Sequence, residues 1–89
     1  MKEIEVQVAN RLGLHARAAA RFVKLASRFE SRISVSKDSS RVDGKSILSL
    51  LTLAAREGTR LRLAAEGNDA GEALTELATL VRDRFGEAE

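Results

Sequence analysis

A chain of 89 residues with 44% hydrophobic composition has room for one modest core and too little bulk to enclose a large cavity, which favours a carrier, adaptor or binding module over a self-sufficient enzyme. Its 15 Lys and Arg against 13 Asp and Glu leave a net charge of only +2, so any basic surface must come from local clustering. The absence of cysteine removes disulfides, thiolate metal sites and thiol nucleophiles, and a single histidine argues against a His-based metal centre, so neither metal nor cofactor is expected.

Met1-Lys2-Glu3-Ile4-Glu5 lacks an apolar signal core, and no apolar run approaches the roughly 20 residues of a membrane span; a cytoplasmic protein without membrane insertion is expected. Residues 2–8 alternate, with Ile4, Val6 and Val8 on one face and Glu3, Glu5 and Gln7 on the other, the period of a half-buried strand. A loop at Asn10 to Leu14, flexible at Gly13, leads into His15. From Ala16 the period becomes helical, and Ala19, Phe22, Val23, Ala26 and Phe29 form a core-facing stripe, predicting a helix that runs to Phe29. Arg17, Arg21, Lys24 and Arg28 keep the same spacing on another side, as either a solvated face or a docking surface for an acidic partner.

Residues 32–37 alternate through Ile33 and Val35, Asp38-Ser39-Ser40 supplies a turn, and Arg41-Val42-Asp43 reads as the returning strand of a hairpin. Gly44 breaks it. Ser46 stands at the N-cap of a short helix carrying Ile47, Leu48, Leu50, Leu51 and Leu53. These residues nearly encircle the helix, so the face not used by the core is covered by a loop or open to a partner. Residues 60–65 form a fourth strand with Leu61, Leu63 and Ala65 inward, and Asp69 with Glu72 has the spacing of a capping box. The helix it opens carries Leu74, Leu77, Val81 and Phe85 on one face, and residues 87–89 are expected to fray. The order strand, helix, strand, strand, helix, strand, helix implies an α+β fold over a single domain of residues 1–89. Its architecture is a two-layer open-faced sandwich with the helices on one side of an antiparallel sheet.

The chemistry concentrates at His15. It lies where a loop becomes a helix, so unpaired N–H groups and the positive end of the helix dipole favour an anion, and Arg17 follows two residues later. A neutral imidazole is a nucleophile near pH 7, which points to a site that receives and passes on a phosphoryl group; a helix cap or plain surface residue is the other reading.

Asn10-Arg11-Leu12-Gly13-Leu14-His15-Ala16-Arg17 resembles the active-site signature of HPr, the histidine-containing phosphocarrier family of bacterial phosphotransferase systems. Gly44-Lys45-Ser46-Ile47-Leu48 is similar to the family's segment around its regulatory serine, and Ala65 to Ala70 to its turn into the last helix. The resemblance spans essentially the whole chain. It implies a sheet order of 1-4-2-3 and a phosphoryl group taken up on His15 through Nδ1 from phosphorylated Enzyme I, with Arg17 on the phosphate oxygens. The group would then pass to a downstream Enzyme II A-type component. The chain would be a covalent carrier and not an enzyme, acting as a monomer in sugar uptake or its regulation. It also implies a second, regulatory phosphorylation at Ser46 by an HPr serine kinase/phosphorylase, although serine is a preferred N-cap in its own right. Arg21, Lys24 and Arg28, with Ile47, Leu48 and Leu51, would form the partner surface.

Two positions depart from the family pattern: Ala18 stands where a proline usually follows the arginine, and Ala54 where a glycine usually follows Thr52-Leu53. The second leaves open a regulatory, nitrogen-type branch. A polyanion-binding module fits poorly, because aromatic content is 3% and Phe22, Phe29 and Phe85 all sit at core-facing helical positions, so no nucleic-acid partner is expected.

Overall fold

The computed structural model describes all residues from 1 to 89. In chain order it contains β1 (Lys2–Gln7), α1 (Ala16–Ala26), β2 (Arg32–Lys37), β3 (Ser40–Asp43), α2 (Ile47–Leu51), β4 (Arg60–Glu66) and α3 (Ala70–Arg82), followed by a 3-10 turn at Arg84–Gly86. The four strands form one antiparallel sheet in the order β1-β4-β2-β3, the order the resemblance implied.

The register explains why the alternation could be read from the sequence. Ile4 pairs with Leu63, Leu63 with Val35 and Val35 with Val42, so one apolar row crosses the whole sheet and faces the helices. The neighbouring row, Glu5, Arg62, Ser36 and Arg41, leaves exposed or half-buried side chains on the other face. Arg60–Glu5 at 3.8 Å and Arg62–Glu3 at 3.9 Å are exposed ion pairs there and contribute little. Against the apolar face α1 presents Ala18, Ala19, Phe22 and Ala26, and α3 presents Ala73, Leu74, Leu77, Ala78 and Val81, all buried. Alanine at so many of these positions lets α3 lie close to β1 and β4, and α1 close to α2 and α3.

Helix α1 stops at Ala26, three residues before the expected end, because the chain is pulled out of the helix by a group from far along the sequence. The Asp69 carboxylate accepts the N–H groups of Glu30 at 2.9 Å and Ser31 at 3.0 Å, and also the Ser31 hydroxyl. Three donors turn the backbone into β2. The capping box expected of Asp69 and Glu72 is therefore not formed: Asp69 sits at the N-cap of α3 without a side-chain bond to its own helix. The Ser31 hydroxyl first, and then the Glu30 N–H, hold the Asp69 carboxyl below its ordinary value of 3.8. A depressed carboxyl contributes its stability fully above the ordinary value and loses it as pH falls through the lowered native value. Asp69→Asn is thus expected to lower the urea midpoint at neutral pH and to flatten the acid limb of midpoint against pH. An unchanged acid limb would remove this clamp from the account.

Phe85 also differs from expectation. It is fully buried, but not as a continuation of the α3 face: α3 ends at Arg82, and Arg84, Phe85 and Gly86 take φ of 58°, 53° and 79°. Three successive left-handed residues swing the ring back into the core and reverse the chain.

Helix α2 starts as expected, with the Ser46 hydroxyl oxygen accepting the Ser49 N–H at 3.2 Å. It ends at Leu51, and beyond its cap Lys37 Nζ donates to the Leu53 carbonyl at 3.0 Å. Ala54 then takes φ of 50°, the left-handed conformation that glycine adopts without a Cβ penalty. An alanine in that conformation holds the turn under strain. Ala54→Gly is expected to stabilise the chain by about 1 kcal/mol, a rise in Tm of roughly 4–8 °C. A fall in Tm by calorimetry would show that this turn relaxes in solution.

Candidate functional site

The loop before α1 is built from the backbone outward. Gly13, at φ of 70°, lies so close to the segment after α2 that an added Cβ would sit 2.5 Å from the Ala55 carbonyl oxygen. The Leu14 N–H donates to that oxygen at 2.9 Å, and the buried Asn10 amide donates from Nδ2 to the Gly13 carbonyl at 2.7 Å. With Leu14 buried beside it, this loop delivers the next residue to a fixed place.

That residue is His15, the N-cap of α1. Its carbonyl accepts the Ala19 N–H at 2.8 Å, while its ring makes no capping bond and is left for other use. The N–H groups of Ala16, Arg17 and Ala18 have no acceptor, and the first turn of α1 carries no acidic side chain. Three free donors at the positive end of an 11-residue helix make a seat for an anion beside the imidazole. Ala18, fully buried, adds one of these donors where a proline would have none.

The C-terminal segment closes the other side. Glu87 Oε1 accepts a hydrogen bond from Asn10 Nδ2 at 2.9 Å, and Glu87 Oε2 lies against His15 Nε2. Farther out, the Arg11 N–H donates to the Glu89 carbonyl at 2.5 Å, and Arg21 Nη1 donates to the Phe85 carbonyl at 2.5 Å. Residues 87–89 are therefore not frayed, since hydrogen bonds to the loop outweigh the usual looseness of a terminus. The Asn10 amide holds the Glu87 carboxyl below its ordinary value against the opposing effect of desolvation, with His15 adding in the same direction, so this side chain is a carboxylate.

One shallow depression brings together His15, Arg17 and Arg21 with Arg11, Leu12 and residues 86–89. The other residues expected at the site lie outside it. Lys24 is exposed on α1 and Arg28 is exposed in the turn just beyond it, neither forms an ion pair, and Ser46 caps α2, which packs against α1. The apolar surplus on α2 is open and not covered: Leu48 is 78% exposed, Ile47 is 39% exposed and Leu51 is half-buried. Leu12, 68% exposed, joins the rim of the depression and was not anticipated. Sequence reasoning also missed Glu87 and the part played by Asn10. The available signal was Arg84-Phe85-Gly86, where a large aromatic residue and a glycine follow the last helix and mark a reversal.

A family model, PTS HPr component phosphorylation site, matches residues 2–83. The chain belongs to the HPr family. It is 45% identical to the phosphocarrier protein HPr of Neisseria meningitidis over 89 residues, which is 100% of both chains. Among solved structures, HPr-C-His from Thermoanaerobacter tengcongensis superposes with a TM-score of 0.95 at 44% identity, covering 100% of both chains. Crh, the catabolite repression protein of Bacillus subtilis solved as a domain-swapped dimer, follows with a TM-score of 0.77 at 43% identity, covering 94% of this chain and 97% of that one. As an HPr, this chain is a phosphocarrier of the phosphotransferase system. None of its helices is long and apolar enough to cross a membrane.

Proposed function

We propose that this HPr accepts a phosphoryl group on His15 Nδ1 from phosphorylated Enzyme I and passes it to a downstream Enzyme II A-type component. The observation that carries this is the placement of the chain's one imidazole beside three unpaired N–H groups at a helix N-terminus, with Arg17 in the same depression. Phosphoryl transfer asks for little from a protein beyond positioning and charge, and those are what the loop and the helix supply. The site is open to one side, which suits a domain of residues 1–89 that serves as a substrate and donor for other proteins and not as an enzyme; a cytoplasmic monomer is part of the same proposal. The test is incubation with phosphoenolpyruvate and Enzyme I followed by intact mass. One acid-labile, base-stable phosphoryl group per chain is expected; no mass gain would overturn the reading.

Arg17 is proposed to neutralise the transferring group. Arg17→Ala should slow transfer about 10- to 100-fold at low salt with an unchanged circular dichroism spectrum, because the residue is exposed. Wild-type rates in both the accepting and the donating direction would show that the helix N-terminus suffices.

The exposed Ile47 and Leu48, with Leu51, are proposed as the short-range part of the partner contact, and Lys24 and Arg28, with Arg21, as its long-range attraction. Ser46 is proposed as the regulatory site of an HPr kinase: a phosphate there would suit the start of α2 electrostatically and oppose an acidic partner beside Leu48. The polyanion-binding alternative is disfavoured by the burial of Phe22, Phe29 and Phe85, which leaves no aromatic ring for stacking.

A further inference from the structure

We propose that Glu87 is the positioning residue of the transfer site: it fixes the proton of the His15 ring on Nε2, leaves the lone pair on Nδ1 facing the helix N-terminus, and balances the positive charge the ring acquires during transfer. The proposal rests on phosphoryl uptake at His15 as put forward above, and extends it to a residue five places beyond the last helix.

The donor and acceptor inventory carries the argument. A carboxylate has acceptors only, so the ring nitrogen that lies against Glu87 Oε2 must bear the hydrogen, and that nitrogen is Nε2. The carboxylate is itself held by a second donor. Asn10 Nδ2 donates to Glu87 Oε1 at 2.9 Å and to the Gly13 carbonyl at 2.7 Å, using both of its hydrogens. The Asn10 Oδ1 is buried with no partner, so the amide is oriented by the two acceptors around Nδ2 and not by its own oxygen. Glu87 therefore meets a donor on each oxygen, Asn10 on one and His15 on the other. Each donor has its own oxygen, and an amide in the same place would turn its NH2 toward one of the two, so the arrangement suits a carboxylate. The backbone reversal at residues 84–86 brings it there, and the Arg11 N–H to the Glu89 carbonyl at 2.5 Å holds the chain beyond it.

The transfer step then balances without moving a proton. The Nδ1 lone pair forms the N–P bond while the bond from phosphorus to the donor group of Enzyme I breaks, and that group leaves with the electron pair. Nε2 keeps its hydrogen throughout. The ring, now bonded at both nitrogens, is cationic, and Glu87 lies against the nitrogen opposite the phosphoryl group, where it stabilises that charge without facing the phosphate oxygens. In the return direction the N–P bond breaks and its electrons go back to Nδ1. A carboxylate holding an imidazole in one tautomer and stabilising its cation is an arrangement known to matter by orders of magnitude in hydrolases.

The test combines a spectrum with a rate on the full-length chain. In 15N-labelled protein, at a pH where the ring is neutral, long-range ring correlations should show the hydrogen on Nε2, with a low-field ring proton. Glu87→Ala and Glu87→Gln should both lose that low-field proton, the glutamine because it carries no charge and its NH2 would face one of the two donors, Asn10 or His15. At saturating phosphorylated Enzyme I, both variants should accept the phosphoryl group about 10-fold or more slowly, with the half-saturating concentration unchanged. A change confined to the half-saturating concentration would make Glu87 a docking residue and overturn the proposal. So would a wild-type ring protonated on Nδ1, or wild-type rates in both variants. Should the wild-type chain take up no phosphoryl group, the proposed function falls, and the ring spectrum alone still decides whether Glu87 sets the tautomer. Circular dichroism of the two variants separates lost positioning from a lost fold, and the near-isosteric glutamine keeps the tail's shape.

Discussion

A His15→Ala chain is expected to take up no phosphoryl group from phosphoenolpyruvate and Enzyme I under conditions that fully charge the wild type, while keeping its fold. The loss should be complete and not graded, because the chain contains no second imidazole and the free N–H groups of α1 can bind an anion but cannot attack phosphorus. The fold should survive for a local reason. His15 caps α1 through its backbone and not through its ring, so alanine removes no capping bond. The contact with Glu87 goes, but Asn10 still holds that carboxylate. A change in Tm within about 5 °C is expected. Intact mass before and after mild acid reads the result. A phosphoryl group that persists in the variant would reveal its own position by chemistry: an acid-stable adduct would lie on a hydroxyl, and a base-labile one on a carboxylate such as Glu87. Either would move the transfer function away from the imidazole.

Gly13→Ala should be strongly damaging to both stability and transfer. The residue would carry a side chain at φ of 70°, and its Cβ would lie 2.5 Å from the Ala55 carbonyl oxygen and 2.9 Å from Arg56 Cα. Both are backbone atoms, so no side-chain rotation relieves the overlap. Left-handed strain and overpacking together cost about 2–4 kcal/mol, which for a domain of this size lowers Tm by roughly 10–25 °C. Relief by moving the loop would break the bond from the Leu14 N–H to the Ala55 carbonyl and the one from Asn10 to the Gly13 carbonyl. The same displacement would carry His15 away from its seat, and an error of about 1 Å there is enough to cost on the order of 100-fold in transfer. Gly58→Ala is the matched control, with φ of 89° and no atom within 4 Å of the added carbon. If the two variants melt together, the close approach at Ala55 is not what the glycine is for.

Where the sequence could be read and where it could not divides along the range of the interactions. The strand rows were legible because one alternating pattern sufficed: Ile4, Leu63 and Val35 face inward whichever strands they pair with. The Ser46 cap was legible because hydroxyl and N–H are three residues apart. Asp69 offered the same local signal and misled, since Ser31 and Glu30, almost 40 positions earlier, present three donors against the one or two that a capping box could supply. The early end of α1 is the same event seen from the other side. No pattern within residues 16–29 contains it.

The sequence by itself determined the α+β arrangement, the apolar faces, the position of the one imidazole at a loop-to-helix junction, and the motif that places the chain among the phosphocarriers. Periodicity and short motifs act within a turn or a strand, so they survive without knowledge of the fold. The tertiary structure decided what surrounds that imidazole. Phe85 leaves the helix to fill the core, and the left-handed run from Arg84 to Gly86 that this requires reverses the chain. The reversal sets Glu87 between Asn10 and His15, more than 70 residues away in sequence. A terminus reads as frayed when judged by its neighbours in the chain. It is ordered here because its hydrogen-bond partners are neighbours only in space.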